Sequence, residues 1–246
     1  MFKQEVSKLI KQDIVSKQSG MLLLLIFGMS TFTKFSGFVS PVKMINARFN
    51  SGWLIVFFMV YLASQLFAME FRYGTIKNLI TMGAKRSSLF LAKAAVLVVY
   101  GFYLTVFAEI ATLGTTWLYF PTLFSENTFG GEALSHSFAS FIGMLLFASL
   151  SLLLSLVIKS DVLAGMVGIV SYFMASMIAG VQFILLSDVT WLKWNPFNML
   201  NLANQLGNNQ IAELTRLSTD QLLLGNLIYI VIFIFFAGII FKHRRV

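Results

Sequence analysis

Residues 88–111 read SLFLAKAAVLVVYGFYLTVFAEIA, a run in which only Lys93 and Glu109 carry charge. About 20 apolar residues in a helix cross the hydrocarbon core of a bilayer, so this stretch is long enough to span a membrane. It stays apolar as far as Phe120 and is expected to project beyond the bilayer. Five further runs have the same character: Gly20–Phe38, Gly52–Met69, Phe138–Ile158, Val162–Leu186 and Leu222–Phe241. The whole chain of 246 residues is 58% hydrophobic and 11% charged, with a mean hydropathy of +0.82. A soluble domain is about a quarter charged and could not hide this much apolar surface. The sequence predicts an all-α membrane protein of six transmembrane helices in a single domain, 1–246.

Lysine and arginine set the orientation, because they concentrate in short cytoplasmic loops. With the N-terminus inside, 13 of the 18 basic residues fall on the inner side, and only Lys34, Lys43, Arg48, Lys193 and Arg216 fall outside. Both termini are therefore expected in the cytoplasm, and an even number of spans, which puts them on one side, agrees. The net charge of +8 sits between apolar runs, a pattern of topology rather than of nucleic-acid binding. The N-terminus opens with a charged stretch and is not expected to be a cleaved signal. With no cysteine there is no disulfide framework, and two histidines, His136 and His243, cannot make a histidine-rich metal site.

Between the spans, three segments stand out. In 1–19, Phe2, Val6, Leu9, Ile10 and Ile14 share one helical face and Lys3, Lys8 and Lys11 lie off it. That pattern predicts an amphipathic helix along the inner membrane surface, the alternative being a solvated basic leader. Segment 120–137 reads as an ordinary loop. Segment 187–221 is unusually apolar for a loop, with Trp191, Trp194, Phe197 and Leu200 interleaved with asparagines. It is expected to form one or two short helices that dip into the outer leaflet before the sixth span.

The loop 70–87 carries the most information. Thr75 can cap a short helix that places Ile76, Leu79 and Ile80 on one side, and Gly83 can end it in a left-handed turn. Such a helix offers apolar and basic groups to the cytoplasm, where a partner or nothing at all awaits them. Glu70 is expected to pair with Arg86 or with a basic residue of a partner.

Glu70, Gly74-Thr75-Ile76, Leu79, Gly83, Arg86 and Lys93, taken with the order of the other elements, resemble the ABC-2-type permeases. These are the membrane subunits of bacterial exporters of peptides, antibiotics and polysaccharides. The length and the Lys/Phe/Ile-rich style look like the small Gram-positive members that handle lantibiotics, other antimicrobial peptides and the staphylococcal phenol-soluble modulins. The resemblance implies that Glu70, Gly74, Thr75, Ile76, Leu79, Ile80, Gly83 and Arg86 form a coupling helix. That helix would sit in a groove of a separate ATP-binding cassette subunit, present in two copies and binding ATP and Mg. It also implies a second permease, identical or a sister chain, in a bacterial cell membrane, and an amphipathic peptide as cargo.

No phosphate-cradling Gly-x-x-x-x-Gly-Lys-Ser/Thr run occurs. Gly83-Ala84-Lys85-Arg86-Ser87-Ser88 approaches it but lacks the adjacent Gly-Lys and has Asn78 in place of the first glycine. No serine-protease turn, clustered His and Glu, or intramembrane carboxylate pair is legible either. The chain is expected to be a transport subunit that binds no cofactor and holds no catalytic residues. Two rival readings share most of these features: an ion-driven secondary transporter, and a passive membrane scaffold or immunity protein.

Ser64, Gln65, Glu109 and Gln182 are candidates to line a substrate path, because polar side chains inside spans are costly and often functional. Ala164, Gly168, Ser171 and Ala175 put small side chains at near-helical steps on the fifth span. Small faces let helices approach closely in lipid, so this face is either packing inside one subunit or a dimer seam. The two permeases implied by the resemblance tilt the choice toward a seam.

Overall fold

The computed structural model describes residues 2–72, 81, 85–125, 131–158, 161–186, 189–208 and 210–243. The segment expected to couple to a partner, from Gly74 through Ile80 and at Gly83, lies outside these residues, and so does the side chain of Glu70. Among the described residues there is no strand.

The helices follow in this order: α1 (Phe2–Lys11), α2 (Ile14–Ser36), α3 (Pro41–Asn46), α4 (Ser51–Arg72), α5 (Arg86–Tyr119), α6 (Pro121–Ser125), α7 (Gly131–Val157) and α8 (Asp161–Leu186). Three short helices, α9 (Pro196–Met199), α10 (Leu202–Gly207) and α11 (Ile211–Thr215), lead to α12 (Thr219–His243). Helices α2, α4, α5, α7, α8 and α12 are each long and apolar enough to cross a membrane. The 34 residues of α5 make it about 50 Å long at 1.5 Å per residue, well beyond a hydrocarbon core of about 30 Å.

Helix α7 is the hub of the bundle and packs on α4, α5, α8, α10 and α12. The best-covered spans are α4, α5 and α7, with 56–61% of their apolar windows buried, against 22% for α8 and α12. Spans α8 and α12 turn Val170, Met177, Val231 and Phe235 outward. A helix that is apolar all round and still exposes one side is stable only where lipid replaces water.

Four expectations are corrected. The N-terminal helix does not run through 1–19. It stops at Lys11, and Asp13, in a left-handed conformation (φ 53°), redirects the chain into the first span. Aspartate is one of the few residues other than glycine that tolerates this conformation. The loop 120–137 is shortened at both ends, by α6 and by the start of α7 at Gly131. The segment 187–221 forms not one or two helices but four short turns: a 3-10 turn at Thr190–Trp194, then α9, α10 and α11. The cause is local, since Asn195 caps α9 through its side chain (to the Asn198 amide, 2.8 Å) and Pro196 opens it; both residues favour helix starts.

The fourth correction concerns the small-residue face of α8. It is occupied inside the chain. A Cβ on Gly168 would lie 2.6 Å from Val60 Cγ1 and 3.2 Å from Ser151 Oγ, and one on Gly165 would lie 3.2 Å from Ser64 Oγ. Ala164 and Ala175 are buried along the same face, and Ser171 is half-buried. Of the two alternatives, packing against α4 and α7 takes this face, and a seam between subunits would have to use another.

Candidate functional site

At one end of the bundle the N-terminal helix is locked to the spans. Lys93, near the start of α5, is 1% exposed. Its ammonium donates to Glu5 Oε2 of α1 (2.9 Å) and to the Leu66 carbonyl of α4 (2.7 Å), and lies 5.4 Å from the centre of the Phe67 ring. Glu5, itself buried, also accepts from Lys8 (2.7 Å). Burial pushes the Glu5 carboxyl upward, but the charges and hydrogen bonds of Lys93 and Lys8 outweigh it and hold the group below its ordinary value. A buried charge persists only when paired in this way. Two to three turns further along α5, Tyr100 donates to Gln18 Oε1 (2.7 Å) and Tyr103 shares a hydrogen bond with Ser19 (2.9 Å). Arg86, at the first residue of α5, donates to the Lys242 carbonyl at the end of α12 (2.9 Å). Hydrogen bonds therefore tie α1, α4, α5 and α12 to one another at this end.

At the other end, the asparagines of 187–221 form a buried amide network. Gln182 of α8 accepts from Asn195 (3.0 Å), Asn198 donates to the Lys193 and Thr215 carbonyls (2.7 and 2.9 Å), and Gln205 accepts from Thr215 (2.7 Å). Asn226 of α12 donates to the Met199 carbonyl (2.8 Å). Turns too short to satisfy their own backbone are satisfied by amides, which offer donors and an acceptor together.

Between this network and the spans lies a cavity of about 540 Å³. Its walls come from α4 (Trp53, Ile55, Val56), α7 (His136, Ser140, Gly143, Met144, Phe147), α8 (Tyr172, Ser176, Ala179, Phe183) and α10 (Leu202, Ala203, Asn204). Its volume and its mixture of apolar walls and a few polar groups match small-ligand sites.

Arg48 also lines it. Arg48, Phe49 and Asn50 form a 3-10 turn in which all three have positive φ (50°, 48° and 61°), a strained state for side-chain-bearing residues. Phe49 is fully buried and fixes the turn in the core. Arg48, only 4% exposed, has no hydrogen bond or ion pair among the described residues, and its Nε is buried without a partner there. Glu109 and His136 lie within its electrostatic reach. Glu109 does not line the cavity, and its Oε2 accepts from Ser137 (2.8 Å). The His136 Nδ1 is buried without a partner as well.

The structure scatters the candidate path residues. Ser64 is buried between α4 and α8 and donates to the Tyr61 carbonyl (2.7 Å). Gln65 is half-buried on α4, Gln182 belongs to the amide network, and none of these three lines the cavity. Arg48 escaped the sequence reading, where it was one outer cation among five. Its only signal is its position four residues before the apolar run that opens at Gly52.

These features define a multi-pass helical membrane protein with a cavity among its helices and a fastened N-terminal helix. Residues 12–246 match the family described as a protein of unknown function (DUF2705), and the chain belongs to that family. No curated protein matches it.

Proposed function

We propose that the chain is the permease subunit of an ATP-driven exporter that moves amphipathic or antimicrobial peptides. The observation that supports this best is the Lys93 lock. It joins α1 to α4 and α5, the two spans that flank loop 70–87, at the end where an outside subunit would push. A force applied to that loop would reach α1 and the spans together. The helix α1, with Phe2 and Ile10 exposed beside buried Leu9, would lie on the cytoplasmic membrane surface, and the cavity would belong to the cargo path. ATP and Mg are assigned to a partner present in two copies, working with a second permease. Export then follows from the different affinity of ATP for the inward-open and outward-open states.

The test is copurification of an ATP-binding subunit with the full chain from its native membrane. Leu79→Ala should weaken that association and stop export while insertion stays normal, whereas Lys77→Ala should only raise salt sensitivity. Intact association and export in Leu79→Ala would refute the proposal.

A second reading, an ion-driven transporter, is favoured by Glu109 and His136 each standing within electrostatic reach of Arg48. It predicts transport into vesicles that hold this chain alone, driven by a proton gradient and lost in Glu109→Gln.

A further inference from the structure

We infer that the cavity between α4, α7 and α8 is a binding site for a single-chain anionic amphiphile, whose phosphate or carboxylate oxygens engage the Arg48 guanidinium. The inference does not depend on the source of energy for transport.

Three observations carry it. The first is Arg48 itself, a cation almost wholly removed from solvent and left without a hydrogen bond or ion pair among the described residues. Arginine is permanently charged and offers five donors in a planar fork suited to two oxygens. A buried charge without a partner is costly, and the left-handed backbone that aims this one adds strain. Such an arrangement is stable when something else supplies the acceptors. Glu109 balances the charge at a distance, but its carboxylate is turned to Ser137.

The second observation is the lining. Among the described residues that form the cavity, none is acidic. Asn50 and His136, whose Nδ1 is without a partner, also line it and can donate to an oxyanion. The third is the change of the walls along the helices: about two turns or more along α4 from Arg48 and along α7 from His136 they are Ile55, Val56, Met144 and Phe147. One end of the cavity suits an anionic head and the other an acyl chain. A volume near 540 Å³ has room for a head and one chain.

The experiment uses the purified full chain in a non-ionic detergent and counts bound ligand by native mass spectrometry. The probes are dodecyl phosphate, dodecanoate, dodecanol and inorganic phosphate. One dodecyl phosphate or dodecanoate should bind per chain, and whichever binds tighter identifies the head. Dodecanol and inorganic phosphate should bind at least about tenfold more weakly, since each lacks half of the ligand. Arg48→Gln should weaken binding of the anionic probes by about tenfold to a hundredfold, the usual range for charged hydrogen bonds. Lys34→Gln, which removes an exposed cation at the same end, should leave it unchanged.

Because Arg48→Gln alters a strained turn, Gly143→Leu provides a second arm. A Cβ at Gly143 meets nothing within 4 Å, and leucine is the better helix former. It should occupy the space beside Gly143 and weaken binding of the anionic probes with the fold intact. Wild-type binding by either variant, once a melting curve shows it folded, overturns the inference. Equal binding of dodecanol and dodecyl phosphate also overturns it, leaving a plain apolar cavity. If instead only an amphipathic peptide with a free C-terminal carboxylate binds, and its amide does not, the occupant is a peptide and the lipid-like ligand is refuted.

Discussion

Replacing Lys93 by methionine isolates the lock between α1 and the spans. Methionine keeps an unbranched apolar stem in the space beside Phe67 and removes the ammonium. Among the described residues, the charge-assisted contacts to Glu5 at 2.9 Å and to the Leu66 carbonyl at 2.7 Å disappear. Breaking a buried ion pair costs about 3–5 kcal/mol when the remaining charge stays buried. Here the cost is capped, because Glu5 keeps Lys8 at 2.7 Å and α1 can lift and return Glu5 to water. What is lost is one charged hydrogen bond of docking, about 1.5–3 kcal/mol, or roughly a tenfold to hundredfold rise in the undocked fraction. Since the chain has no cysteine, a single Leu9→Cys reports docking by its rate of maleimide labelling; Leu9 is 6% exposed. Labelling should accelerate by that factor in Lys93→Met, and Glu5→Gln should add little to it, because the two residues act as a pair. An unchanged labelling rate would show that apolar contacts alone hold α1 and that the lock transmits nothing.

Three further outcomes follow from the packing and charges. Gly168→Leu should destabilise the detergent-solubilised chain by about 1–3 kcal/mol, the cost of overpacking, through its collision with Val60 and Ser151. Val170→Leu on the exposed face of α8 should change the melting temperature little. The depressed Glu5 carboxyl stabilises docked α1 fully above the ordinary carboxylate value of 4.5 and loses that contribution as pH falls below it. A spin label at the exposed position of Lys3 should thus gain mobility only in acid, and Lys93→Met should blunt the step. Asn198→Ala leaves the carbonyls of Lys193 and Thr215 without their side-chain donor in a fully buried place. It should lower stability by roughly 2–4 kcal/mol, read as early proteolysis within 190–216.

The six spans were legible because each is a long apolar run, and length alone decides between a span and a buried soluble helix. Helix ends were less so. Nothing in Lys11-Gln12-Asp13-Ile14 says that the chain turns there, since the apolar spacing continues across the break; the left-handed Asp13 is chosen by the packing of Leu9 and Glu5 against α5. The face of Gly168 was legible as a close contact but not as to its partner, because small residues report only that a neighbour is near. Arg48 was illegible for a further reason. Its burial depends on Phe49 entering the core and on the outer turns covering the cavity, and these are contacts between residues far apart in sequence.

The seam between α4 and α8 explains why the cavity lies where it does. The two helices run past each other with Gly165 against Ser64 and Gly168 against Val60. Tyr172 then meets Phe57 with ring centres 5.8 Å apart. One turn further, Ser176 and Trp53 no longer close the seam but face the same cavity, as do Ala179 and Asn50 beyond them. Small side chains thus bring the helices into close contact toward the end of the Lys93 lock, and the cavity lies beside them toward Arg48. Close packing resists change where glycine meets valine and serine, so a relative tilt of α8 is absorbed where only an aromatic wedge and open space separate the pair. A small displacement at the locked end would then alter the cavity more than it alters the seam, which connects the two ends of the bundle through a single helix pair.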